Sequence, residues 1–186
     1  MKAQKLDRYG RVAIALHWFM LVAVGMAYLS MSLADLRSAS QAQRDMWQAL
    51  HFQIGLLIFV LALLRGCVRM GRANPPIDSN PPALQMRLAW SSQLALYVFL
   101  FAMPVLGLLA LNAGGGHLSF SGMPVPALIQ PDESVSAWLA QAHRYLALAG
   151  YLLIGIHALA ALVHHFYFRD NTLERILPAG QRDTGE

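Results

Sequence analysis

Long apolar runs, broken by short polar or Pro/Gly-rich stretches, set the pattern of this chain. Four runs stand out, at about 12–33, 47–64, 88–111 and 145–168. Each is close to the roughly 20 residues that an α-helix needs to cross a bilayer core. The breakers fall between them. Asn74-Pro75-Pro76 and Asn80-Pro81-Pro82 predict a turn-rich connection after the second run, and Gly114-Gly115-Gly116, Pro124, Pro126 and Pro131 predict one after the third. Pro104 lies inside the third run, with Gly107 one turn later, and is expected to kink it. The fourth segment is read as a helix longer than the bilayer. Positions 136–168 contain no proline, and their length of about 50 Å as a helix exceeds the hydrocarbon thickness.

Composition agrees with this reading. The chain has 186 residues, 56% hydrophobic and 13% charged, with a mean hydropathy of +0.43. A soluble domain carries about 25% charged residues. The expected fold class is therefore an all-α integral membrane protein, a single four-transmembrane-helix bundle over 1–186. The first run is long and lacks a small-residue cleavage site, so it is read as a span and not as a signal peptide. One cysteine, Cys67, excludes an internal disulfide. The pI near 9.6 does not point to nucleic acid, because the basic residues flank the apolar runs.

Those flanking charges predict a topology. Lys2, Lys5, Arg8, Arg11, Arg65, Arg69, Arg72, Arg87, Arg169, Arg175 and Arg182 fall on one side of the four spans, and only Arg37, Arg44 and Arg144 on the other. Eleven against three places both termini in the cytoplasm.

Four histidines, His17, His51, His143 and His157, lie inside or at the mouth of the apolar runs. An ionisable side chain in a membrane segment is costly and needs a function, and imidazole is a common axial ligand of haem iron. His143 and His157 are fourteen residues apart, which returns a helix to within about 40° of the same face after about 21 Å. With antiparallel neighbours, depth pairs His17 with His157 toward the cytoplasm and His51 with His143 toward the outside. Each pair is expected to hold one low-spin haem b through its iron. The bland reading is a histidine that snorkels or bonds a backbone carbonyl. It has even weight for any single one, but four at matching depths make it a poor account of the set. Gly25, Gly55, Gly107, Gly150 and Gly155 leave room for a flat macrocycle, although small residues also serve plain helix packing.

Other polar residues admit two readings. His164 lies seven residues past His157 on nearly the same face, where it could meet a haem propionate, a quinone headgroup or a proton path, or only water. His165 and His117 are read as surface residues. Trp18, Trp47, Trp90 and Trp138 are read as interfacial anchors. Arg144, next to His143, could draw in an anion or pair with a propionate, or simply solvate the helix end.

Leu16-His17-Trp18, Ala102-Met103-Pro104-Val105-Leu106-Gly107-Leu108, Gly150-Tyr151-Leu152-Leu153-Ile154-Gly155-Ile156-His157 and the tail from His164 to Leu173 together resemble bacterial cytochrome b561. The resemblance spans nearly the whole chain, and its C-terminal stretch is the specific part. It implies a four-helix inner-membrane protein with two b haems on His17, His51, His143 and His157. It also implies superoxide oxidation coupled to ubiquinone reduction; the catalytic residues are not assigned, and position alone makes His164 and Arg144 the candidates. Some members of that family carry histidines at the start of the third segment, where this chain has Trp90 and Gln93, so no quinone or proton role is carried over to that region. Two other functions compete: a relay subunit between a partner dehydrogenase and quinone, and a non-redox membrane sensor or transporter using its histidines for metal or protons.

Overall fold

The computed structural model describes residues 8–71, 75, 81–120 and 122–178. Lys2, Lys5, Arg72 and Arg182, and most of the proline-rich connection at 74–80, lie outside the described residues. Four long helices carry the fold: α1 (Arg11–Ala34), α2 (Gln41–Met70), α3 (Ala83–Ala113) and α4 (Glu133–Val163). Each is long and apolar enough to cross a membrane. Much of the apolar surface faces outward, as lipid contact requires: Phe19, Val22, Leu88, Leu152 and Leu159 are all exposed.

The helices outrun the apolar stretches. α2 begins at Gln41, where its first turn is polar. Ser40 and Gln43 form a reciprocal capping box there, which satisfies amides that would otherwise be orphaned. α4 begins at Glu133, capped by Asp132, whose carboxylate accepts from the Ser134 hydroxyl at 2.6 Å and from the Ser134 and Val135 amides. Those bonds, the Ser134 hydroxyl first, hold the Asp132 carboxyl below its ordinary value. α3 runs unbroken across Pro104. The apolar run thus marks the hydrocarbon, while capping decides where the helix starts.

Backbones pack closely between α1 and α2, between α3 and α4, and less extensively between α2 and α3. Met20 and Ala23 of α1 and Ile54, Ile58 and Ala62 of α2 form the buried core, with Leu100 and Phe101 of α3 against it. The α1–α4 side is bridged by side chains: the Tyr28 hydroxyl donates to the Ala147 carbonyl at 2.7 Å, and Tyr28 stacks on Tyr151.

Two features depart from plain helices. The α3–α4 connection contains a small antiparallel hairpin, β1 (Leu118–Phe120) and β2 (Met123–Val125), with Leu118 opposite Val125. Gly115 and Gly122 adopt positive φ there, a conformation open to glycine at little cost. Asn112 of α3 anchors the loop by donating to the Gly116 carbonyl and accepting from the Leu128 amide.

At the other end, α4 passes into a π-helical turn, His164–Phe168, and Arg169 adopts the left-handed conformation. The chain then folds back beneath the bundle. The Trp18 indole donates to the Ile176 carbonyl at 3.0 Å, the Tyr9 amide to the Arg175 carbonyl at 3.1 Å, and the buried Arg175 guanidinium to the Pro75 carbonyl. The tail is thereby tied to the first turns of α1 and to the α2–α3 connection.

Candidate cofactor site between the helices

The four histidines meet in two pairs. His17 of α1 faces His157 of α4, with ring centroids 6.4 Å apart and planes inclined at 57°. His51 of α2 faces His143 of α4 at 6.0 Å and 81°. All four rings are half-buried. α4 therefore offers one histidine to each of two different helices, and neither α1 nor α2 packs its backbone extensively against α4. Each pair bridges a space between helices and does not interrupt a packed seam. Open space also lies beside Gly25, Gly55 and Gly155, where an added Cβ would meet nothing within 4 Å.

These separations suit a metal ion. An imidazole nitrogen sits roughly 2 Å from a bound metal, and the ring centre lies about 1 Å behind it. Two imidazoles on opposite sides of one ion then stand about 6 Å apart, centre to centre. Among the described residues no group of three or more His, Cys, Asp or Glu side chains converges on a metal position. The donor set thus fits an ion whose remaining ligands come from a macrocycle, and it does not fit an all-protein cage.

Tautomers distinguish the two pairs. The Nδ1 of His51 lies 3.0 Å from the Ala27 carbonyl, with the fully buried Ser30 hydroxyl oxygen at 3.3 Å. The Nδ1 of His143 lies 3.1 Å from the Met103 carbonyl. A carbonyl can only accept, so each Nδ1 carries the proton and each Nε2 presents its lone pair for a metal. These two bonds fix ring orientation before any cofactor arrives. His17 differs: its Nδ1 receives a hydrogen bond from Arg65 of α2 at 2.8 Å.

Gly107 has a different use from Gly25, Gly55 and Gly155. A Cβ there would stand 3.2 Å from the His143 Cε1 and 3.4 Å from its Nδ1, so glycine lets the ring lie against α3. Gly150, in contrast, is taken up by helix packing against the Tyr28 hydroxyl and the Phe99 ring.

The other sequence candidates separate clearly. The His164 Nδ1 lies 2.6 Å from the Asp170 carboxylate, which is buried and also accepts from the Thr172 amide. His164 is thus committed on one nitrogen to holding the turned-back tail. Arg144 is exposed beside His143. His117 is exposed at a shallow cleft with Asn112, Gly115 and Gln130. His165 is half-buried against Phe166. Gln93 accepts from Arg69 at 2.7 Å and so ties α3 to α2.

Sequence reasoning did not assign the carbonyls of Ala27 and Met103, the anion at Asp170, or Arg65. Arg65 did carry a signal. It lies fourteen residues after His51, the same interval that separates His143 from His157, and hence on nearly the same helix face.

Burial pushes the Asp170 carboxyl up, but hydrogen bonds from His164 and Thr172 outweigh it, and the group sits below its ordinary value. A lowered folded pKa means that the contact stabilises fully above the unfolded value, about 3.9, and that this stabilisation is lost as pH falls through the folded value. The tail is therefore expected to stay docked from pH 7 to about 4 and to loosen below. Proteolytic nicking after Arg169 as a function of pH measures this. Asp170→Asn should be nicked at pH 7, and equal protection of variant and parent would remove Asp170 from the latch.

A model of the family described as prokaryotic cytochrome b561 matches residues 8–179. The chain is 32% identical over 173 residues to cytochrome b561 homolog 1 of Escherichia coli K12, covering 93% of this chain and 98% of the relative. It is 31% identical over 171 residues to a probable superoxide oxidase CybB of Yersinia pestis, covering 92% and 96%. It is 28% identical over 174 residues to cytochrome b562 of Cereibacter sphaeroides, covering 91% and 94%. With four helices of spanning length and a family match along nearly all of it, the chain belongs to the prokaryotic cytochrome b561 family of multi-pass, haem-bearing membrane electron-transfer proteins.

Proposed function

We propose that this chain is a dihaem cytochrome b of the bacterial inner membrane, with both termini cytoplasmic, that oxidises superoxide and reduces ubiquinone. The observation that carries the reading is the two facing histidine pairs, His17 with His157 and His51 with His143, joined through one helix. The relative named as a probable superoxide oxidase supports the choice of donor. The net reaction takes two superoxide anions, one ubiquinone and two protons to two dioxygen and one ubiquinol. Held by His17 with His157 and by His51 with His143, each haem would supply a one-electron iron couple, and two histidine donors per iron favour electron transfer over oxygen binding.

The residues divide the remaining work. His51 and His143 would hold the outer haem, their rings kept oriented by the Ala27 and Met103 carbonyls. Arg144 places an exposed cation beside the outer pair, where it raises the local concentration of an anion such as superoxide. His157 lies about 21 Å along α4 from His143, so the two centres can pass charge between membrane surfaces. His164, with Nδ1 held by Asp170, has Nε2 left for a quinone oxygen or a proton.

Anaerobic stopped-flow spectroscopy of the purified protein tests this. Rapid reduction of a b-haem band by a superoxide pulse, followed by reoxidation on adding ubiquinone, is expected. A haem spectrum indifferent to superoxide would move the function to a relay between a partner dehydrogenase and quinone. Absence of any haem would move it to a non-redox histidine protein. His164→Ala should keep both haems yet slow the quinone step about a hundredfold, the lower end of what losing one acid–base group costs. Unchanged turnover would take His164 out of the reaction.

A further inference from the structure

The contact between Arg65 and His17 cannot survive iron ligation as it stands. A guanidinium has donors only, so the His17 Nδ1 must accept, and in a neutral ring the proton then sits on Nε2. Nε2 is the atom an axial ligand needs free. The outer pair shows the opposite arrangement, with each Nδ1 donating to a carbonyl. Filling the inner site therefore returns the proton to Nδ1 and turns Arg65 away from it.

Arg65 then needs an anion. It is half-buried on a membrane helix, where an unpaired charge is costly. Among the described residues Arg65 makes no ion pair, and Asp170 is held by His164. Asp35 and Asp45 stand at the opposite end of α1 and α2, Asp132 and Glu133 at the head of α4, and Glu174 on the tail is exposed with no bond to Arg65. Arg69, one turn further along α2, is already used by Gln93. A b haem brings two propionates with it, and the planar guanidinium fork matches a carboxylate in two parallel hydrogen bonds.

The geometry points to Arg65 as the carboxylate anchor of the inner site: it guards His17 while the site is empty and binds a haem propionate when the site fills. This rests on the reading of His17 and His157 as axial ligands. Arg65 acts as a positioning residue, and its charge also favours the reduced haem, which carries one more negative charge.

The test compares the holoprotein with Arg65→Met and Arg65→Lys. Cells are grown so that the haem propionate carboxylates carry carbon-13. Three quantities are read: haems per chain, the two midpoint potentials, and the labelled carboxylate bands in redox infrared difference spectra. The potential to follow belongs to the haem that His17→Ala removes. In Arg65→Met its reduction equilibrium should fall at least tenfold, equal to about 59 mV for one electron, and a labelled carboxylate band should shift. The other haem should not move. Arg65→Lys should recover most of the potential. Loss of the inner haem alone in Arg65→Met, with retention in Arg65→Lys, would equally support the anchor. Two haems with parental potentials and carboxylate bands in Arg65→Met would overturn it, as would a shifted potential with unshifted carboxylate bands. If His17→Ala and His157→Ala fail to remove a common haem, the ligand reading falls and the anchor falls with it. That outcome is recognised from the histidine variants alone, with Arg65 intact.

Discussion

Alanine at His51 or at His143 is expected to remove one and the same haem, and alanine at His17 or His157 the other. Each single variant should fall from two haems per chain to one, measured as the pyridine haemochrome against protein. The expectation follows from the facing rings, 6.0 and 6.4 Å apart, and from the separation of the two pairs along α4. Without one imidazole, a site would keep only half of the facing pair that would hold the iron. The surviving haem in His51→Ala and His143→Ala should share one spectrum and one potential, distinct from those of the other two variants. If His17→Ala and His51→Ala lost a common haem, the pairing would be wrong even with the four ligands right.

That pairing could be reasoned from the sequence because a helix fixes depth: 1.5 Å of rise per residue and alternating direction leave little choice of which histidines share a level. The four helices were legible for a related reason, since each must present about 20 apolar residues to lipid. What surrounds the rings was not legible. Ala27 and Met103 contribute backbone carbonyls, and a carbonyl has no side-chain signature. Arg65 was read as one more topology-setting charge, because composition cannot separate an arginine that faces water from one that faces a bundle. Only its fourteen-residue interval from His51 could have done so. The hairpin at Leu118–Phe120 and Met123–Val125 was hidden by its brevity in a loop rich in Gly and Pro. The π-helical turn after Val163 was hidden because it is held by His164, Asp170 and the left-handed Arg169, not by an apolar period.

Valine at Gly107 should remove the same haem as His51→Ala while all four histidines remain. Gly107 lies inside α3, two turns before its end, where glycine costs roughly 0.5–1 kcal/mol of helix stability relative to alanine. On propensity alone, then, Gly107→Ala should improve α3. The cost arises across the interface. A Cβ would stand 3.2 Å from the His143 Cε1, so alanine already pushes the ring by a few tenths of an ångström. Valine adds two methyls with one strongly preferred rotamer in a helix and cannot turn both away. The displaced ring loses its bond to the Met103 carbonyl, and with it the tautomer that frees Nε2. Gly107→Ala should therefore keep both haems, with the outer one broadened in its spectrum or more easily lost on washing. Gly107→Val should retain the inner haem alone, with helix content by circular dichroism unchanged. Two haems of parental spectrum in Gly107→Val would mean that His143 does not rest on α3 in the loaded protein. The outer site would then be shaped by the incoming cofactor rather than by the helices that wait for it.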